Sequence, residues 1–193
     1  MQIDQNRAQQ VLSALGDQLD AAGERFEIVV IGGSALLALG LIDRATRDVD
    51  LVALIEDGGL VDPKPLPEGL IAARDRIARD FGLDADWLNA APSSLLDFGL
   101  PDGFVGRLES RRYGPALTVH LASRFDQIHF KLYALVDQGP GKHEADLRAL
   151  APSREELLQA ARWSTTHDPS DGFRQELLAA LKHLGVEDAD LGA

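Results

Sequence analysis

Residues 26–55, FEIVVIGGSALLALGLIDRATRDVDLVALI, carry the reading of this chain. Phe26 to Ile31 is a short run rich in β-branched side chains, which favour a pleated, half-buried strand. It ends in Gly32-Gly33, and from Ser34 the period changes to that of a helix over Ala35–Leu39. Asp48 to Ile55 first alternates acid and aliphatic residues, Asp48 and Asp50 against Val49 and Leu51, and then becomes wholly apolar. That pattern predicts a strand entering the core with its two carboxylates at the leading end.

Working outward, Val11, Leu12, Leu15 and Leu19 lie at helical spacing within residues 4–22, with Gly23 as the stop. From Glu56 to Gly69 the glycines and Pro63, Pro65 and Pro67 predict an irregular loop that could cover a site. A helix is expected over 68–81. The stretch Trp87 to Gly114 reads as short pieces broken by Pro92, Pro101 and glycines, and Ala116–Leu121 as a strand. Ser123 caps a helix running to about Gln138, which Gly139 and Pro140 end. Three further helices are expected: 143–150, 153–163 behind the capping box Ser153-x-x-Glu156, and 170–184 with Leu177, Leu178, Leu181 and Leu184 on its apolar side. The expected organisation is a core over 1–122 and a helical region over 123–193 packed on it, with one domain overall as the other option.

With 193 residues and 45% hydrophobic content, the chain can bury one substantial core. It has no cysteine, which removes disulfides and thiolate metal sites. No apolar run reaches the length of a membrane span and no signal-peptide core follows Met1, so the expectation is a cytoplasmic protein with no membrane partner. A formal net charge of −12 opposes nonspecific binding to duplex DNA. Arg107, Arg111 and Arg112 around Tyr113 read either as an RNA contact or as a solvated loop or edge strand.

The chemistry lies in Gly32-Gly33-Ser34 and in Thr46-Arg47-Asp48-Val49-Asp50 taken together. Glycines allow a phosphate to approach the backbone, the first helical N–H groups attract anions, and Ser34 adds a hydroxyl. Aspartates at i and i+2 of a strand share a face, with Cα atoms about 6.6 Å apart, so both can ligate one cation or a close pair. Oxygen ligands of this kind select Mg2+ or Mn2+ over zinc. Alone, each motif also fits a bland role, a tight turn or two solvated edge acids. No P-loop lysine, Gly-x-Gly-x-x-Gly, serine elbow or zinc-type histidine spacing is present.

The string Gly32-Gly33-Ser34, thirteen residues, then Asp48-Val49-Asp50 resembles the signature of the polymerase-beta-like nucleotidyltransferase superfamily. Downstream, Lys131 within residues 129–135, Asp146 within residues 143–147, and the triplet Trp87-Leu88-Asn89 resemble its bacterial branch related to AbiEii-type toxins. The resemblance covers roughly residues 28–150. It implies an α+β fold, a small mixed sheet flanked by helices, and transfer of a nucleotidyl group from an NTP to a hydroxyl on RNA, tRNA, protein or a small molecule. An antitoxin-like protein partner is also implied. Carried over by position, Asp48 and Asp50 bind metal, Gly32, Gly33, Ser34 and Lys131 serve the nucleotide, and Arg47 assists.

The chain departs from that pattern in one place. Superfamily members carry a third carboxylate on a later strand, and Thr118-Val119-His120-Leu121 has none. His120 is either a base near neutral pH or a structural residue. Asp146 either substitutes for the missing acid or belongs to a charged helix face, and Lys131 either serves the site or snorkels past an apolar stripe. Trp87 reads better as core than as a site residue. Three functions therefore stay open: an active transferase, a noncatalytic nucleotide- or RNA-binding regulatory protein on the same fold, and an interaction protein with incidental acids.

Overall fold

The computed structural model describes residues 2–191. Among these residues seven α-helices and six strands follow in the order α1 (Gln5–Ala22), β1 (Phe26–Ile31), α2 (Gly32–Ala38), β2 (Val49–Glu56), β3 (Gly59–Val61), α3 (Glu68–Phe81), β4 (Leu88–Asn89), β5 (Glu109–Tyr113), β6 (Leu117–Leu121), α4 (Arg124–Gln138), α5 (Lys142–Ala149), α6 (Arg154–His167) and α7 (Asp171–His183). The class is α+β, with strand order β3-β2-β1-β6-β5 and β4 paired to the start of β2. β1 runs antiparallel to β2 and parallel to β6, which makes the sheet mixed. The chain divides into two compact units: residues 1–99 with 104–122, and residues 100–103 with 123–193. Among the described residues no helix is long and apolar enough to cross a membrane.

In the first unit, α1 and α3 pack on one sheet face, burying Val11, Leu12, Leu15, Leu19, Leu70 and Ile77 against Ile28, Val30, Leu51, Leu54, Leu117 and Val119. The apolar run after Asp50 owes its broken alternation to a β-bulge. Val29 pairs with Ala53 but Val30 with Leu51, so Val52 is the extra residue and both Leu51 and Leu54 reach the core. The proline-bearing loop contains a hairpin that the sequence reading treated as irregular. Asp57 and Gly58 take φ of 49° and 78°, the left-handed pair that a two-residue turn between β2 and β3 requires.

Gly16 sits in the middle of α1, where alanine would ordinarily be the better helix former by about 1 kcal/mol. Here a Cβ would lie 2.1 Å from the carbonyl oxygen of Tyr113, so the helix packs directly on the β5 backbone. Gly16→Ala is therefore expected to lower unfolding free energy by about 1–3 kcal/mol despite its propensity gain, as read by urea denaturation.

The second unit is helical, with α4 packed against α5, α6 and α7. Phe130, Tyr133, Trp163 and Phe173 form its aromatic core, Trp163 meeting Phe130 edge-on at 5.6 Å between ring centres. α6 opens with a capping box: Glu156 N–H donates to Ser153 Oγ, and Ser153 N–H donates to Glu156 Oε2 at 2.8 Å. Arg124 Nη1 donates to Glu156 Oε1 at 2.6 Å, and chiefly this bond brings the Glu156 pKa down from 4.5 to about 2.

The folded value lies below the unfolded one. This contribution to stability is therefore complete above about pH 4.5 and is lost as pH falls through about 2. Glu156→Gln is expected to cost about 1–2 kcal/mol at neutral pH. Between pH 4.5 and 2 its stability should fall less steeply than that of the parent, in denaturation curves taken across that range.

Candidate functional site

The candidate site forms where β1 ends, α2 begins and β2 starts. Antiparallel pairing sets Ile31 opposite Asp50, so the glycine turn and the acid strand meet at one edge of the first unit. Gly32 has φ of 75°, a conformation open to glycine at little cost, and a Cβ there would lie 2.9 Å from Asp50 Oδ2. The carboxylate thus lies over the Gly32 backbone. At Gly33 a Cβ would meet Thr46 Oγ1 at 3.1 Å and an Arg44 guanidinium nitrogen at 3.4 Å. Gly32 is favoured by its backbone conformation, and a side chain at either glycine would press on the neighbouring Asp50 or Thr46.

Asp48 stands just before β2 and is held by Thr46, whose hydroxyl donates to Asp48 Oδ1 at 3.2 Å. Thr46 is itself buried and pinned by backbone hydrogen bonds to Ile3 in both directions. Asp50 is steadied from its other side, since Asn89 Nδ2 donates to Asp50 Oδ1 at 3.2 Å. Asp48 immediately precedes the strand, and Asp50 lies within it between Val49 and Leu51, which belong to the α1 and α3 core.

Ser34 is buried and faces the other way. Its hydroxyl donates to Ile31 O at 3.5 Å, and with Val30, Val49, Arg111 and Tyr113 it lines a cavity of about 360 Å³ on the core side. Arg47 is exposed beside Asp48. Arg111 and Arg112 lie on β5, at the sheet edge.

His120 lies two strands from Asp50 and two residues along, because it pairs with Val29 while Asp50 pairs with Ile31. The strand spacing and rise put the two about 12 Å apart. Both of its ring nitrogens are engaged, Nδ1 with Ser110 Oγ and Nε2 with Glu27 Oε2, each at 2.8 Å. Lys131 and Asp146 meet each other in the helical unit, with Nζ 2.7 Å from Oδ2 and side chains only 5% and 1% exposed. Trp87 is fully buried, and its indole N–H donates to Arg74 O. The sequence alone assigns no site role to Arg44, Thr46 or Asn89, although Thr46 opens the acid motif. Asn89 did carry a signal, as the third residue of the triplet that resembles the toxin-related branch.

Among the described residues no group of three or more histidine, cysteine, aspartate or glutamate side chains is arranged to hold a metal ion. Asp48 and Asp50 beside the Gly32 turn are hard oxygen donors, the kind that Mg2+ or Mn2+ takes. Magnesium is commonly held by one or two protein carboxylates, with substrate phosphates and water completing its shell.

The architecture is a nucleotidyltransferase-like fold. The crystal structure of an antigenic nucleotidyltransferase-like protein from Paracoccidioides brasiliensis superposes with a TM-score of 0.51, over 95% of this chain and 91% of that one, at 15% sequence identity. No protein-family model matches the chain, and no curated protein matches it.

Proposed function

We propose that this chain is a metal-dependent nucleotidyltransferase that moves an NMP from an NTP to a hydroxyl of RNA, tRNA or protein. The observation that carries the proposal is Asp50 lying over the Gly32 backbone, which puts the glycine turn and the acid pair at the same strand ends. Asp48 and Asp50 would hold Mg2+ or Mn2+. The cation, when bound, would neutralise charge on the triphosphate and on the departing pyrophosphate.

Gly32, Gly33 and Ser34 would bring backbone close to the phosphates, and Arg47, with the neighbouring Arg44, would face their charge. Thr46 fixes Asp48 so that little reorganisation is needed as charge develops. The acceptor hydroxyl attacks the α-phosphorus, the bond to pyrophosphate breaks, and the hydroxyl proton leaves to a base. His120 is the histidine on that sheet face, but its distance from Asp50 makes it a poor direct base unless the acceptor spans the gap. Lys131 as a triphosphate contact, Asp146 as a further carboxylate, the toxin-like role and the antitoxin-like partner rest on the resemblance.

One observation favours a second reading, a noncatalytic nucleotide- or RNA-binding regulatory protein: the side chain beside Asp50 on the neighbouring strand is the amide of Asn89, not an acid. The two are separated by incubating purified protein with Mg2+ or Mn2+, each labelled NTP in turn, and total RNA or cell lysate. Label on RNA or protein that depends on Asp48 and Asp50 establishes transfer and names the acceptor class. Metal-dependent NTP binding without label selects the regulatory reading, and no binding of metal or NTP defeats both.

A further inference from the structure

β4 is only two residues long, yet its placement is tightly determined. It runs parallel to the start of β2, with Leu88 beside Val49 and Asn89 beside Asp50. Val49 N–H donates to Trp87 O at 2.6 Å, and Trp87 and Leu88 are both fully buried. The half-exposed residue of this anchored piece is Asn89, next to the acid pair.

Its amide orientation follows from its neighbours. Oδ1 accepts from Ala91 N–H at 2.8 Å, which only the oxygen can do, so Nδ2 is left to donate to Asp50 Oδ1 and to Asp86 O. One oxygen of Asp50 is thereby held by Asn89 while the other lies over Gly32. An amide steadies the carboxylate without adding a negative charge, and the count of charged ligands sets how tightly an oxygen site holds a bare divalent cation.

Building on the transferase reading, we infer that Asn89 is a positioning residue of the acid pair and that its amide sets the order of uptake. The cation enters with the triphosphate, whose oxygens supply the charge that the protein lacks at this place, instead of binding ahead of it.

Mn2+ titrations of the full chain, followed by electron paramagnetic resonance with and without NTP, test this in the parent protein, Asn89→Asp and Asn89→Ala. Thermal melts are taken alongside. In the parent, Mn2+ affinity should rise at least about tenfold when NTP is present. Asn89→Asp keeps the oxygen that accepts from Ala91 and should bind Mn2+ alone at least about tenfold more tightly than the parent. Asn89→Ala should bind Mn2+ in the presence of NTP about 10- to 100-fold more weakly, a change that loss of a turn contact alone would not produce.

Equal Mn2+ affinity with and without NTP in the parent overturns the inference, as does an Asn89→Asp variant no tighter than the parent. If Asn89→Asp does not fold, the Asn89→Ala result decides. Failure of the transferase reading looks different: the parent binds no Mn2+ under either condition, or Asp48→Ala/Asp50→Ala binds it unchanged. Either result removes the basis of the inference as well.

Discussion

Asp50→Asn is expected to reduce labelled-nucleotide transfer at least about a thousandfold while leaving the thermal melt within a few degrees of the parent. The substitution keeps shape and an oxygen, so the hydrogen bond from Asn89 Nδ2 is retained and the packing over Gly32 hardly changes. The negative charge is lost, and one acceptor oxygen becomes an amide nitrogen. Metal-mediated charge stabilisation is worth several kcal/mol, and each 1.4 kcal/mol or so corresponds to a factor of ten in rate, which gives about three decades. Transfer assays set beside melts check both halves. Wild-type-like transfer by a folded Asp50→Asn protein would remove Asp50 from the chemistry, and with it the strongest argument for the enzyme.

The largest stability effect is expected at Lys131. Its ammonium and the Asp146 carboxylate lie 2.7 Å apart, and both are almost wholly withdrawn from water. Lys131→Met leaves the Asp146 charge buried without its lysine, a change that costs about 3–5 kcal/mol in comparable pairs. The double change Lys131→Met/Asp146→Leu should recover most of that loss, because two apolar side chains carry no desolvation penalty. Urea denaturation of the two singles and the double reads the coupling directly. The same double variant also tests function: a stable protein that has lost transfer would give Lys131 or Asp146 a role beyond their mutual pairing, whereas intact transfer would confine the pair to holding α4 to α5.

Elements with a local signal in the sequence form where that signal places them. The strand Phe26–Ile31, the helix over 68–81 and the four C-terminal helices follow from apolar periodicity and capping residues, and they appear within a few residues of the expected bounds. The hairpin after Glu56 has its own signal in Asp57-Gly58, which the nearby Pro63, Pro65 and Pro67 mask by marking the whole stretch as irregular. β4 had no comparable signal. Two residues are too few for a period, and Leu88-Asn89 becomes a strand only because Val49 and Asp50 lie alongside it. His120 gave the reverse lesson. Read alone it was a possible base, while its hydrogen bonds to Ser110 and Glu27 come from strands that only the fold brings next to it.

What the sequence determined by itself is the strand, glycine turn and helix of residues 26–39, together with the alternation that sets Asp50 between core-facing Val49 and Leu51, since side-chain alternation along a strand depends on nothing outside it. The tertiary structure alone decided that Asp50 lies over Gly32, that Asn89 stands beside it, and that Lys131 is bonded to Asp146. Those pairings depend on strand register and helix packing between segments 15 to 39 residues apart in the chain. Many distant apolar contacts settle such arrangements together, and no one of them is written in the residues it positions.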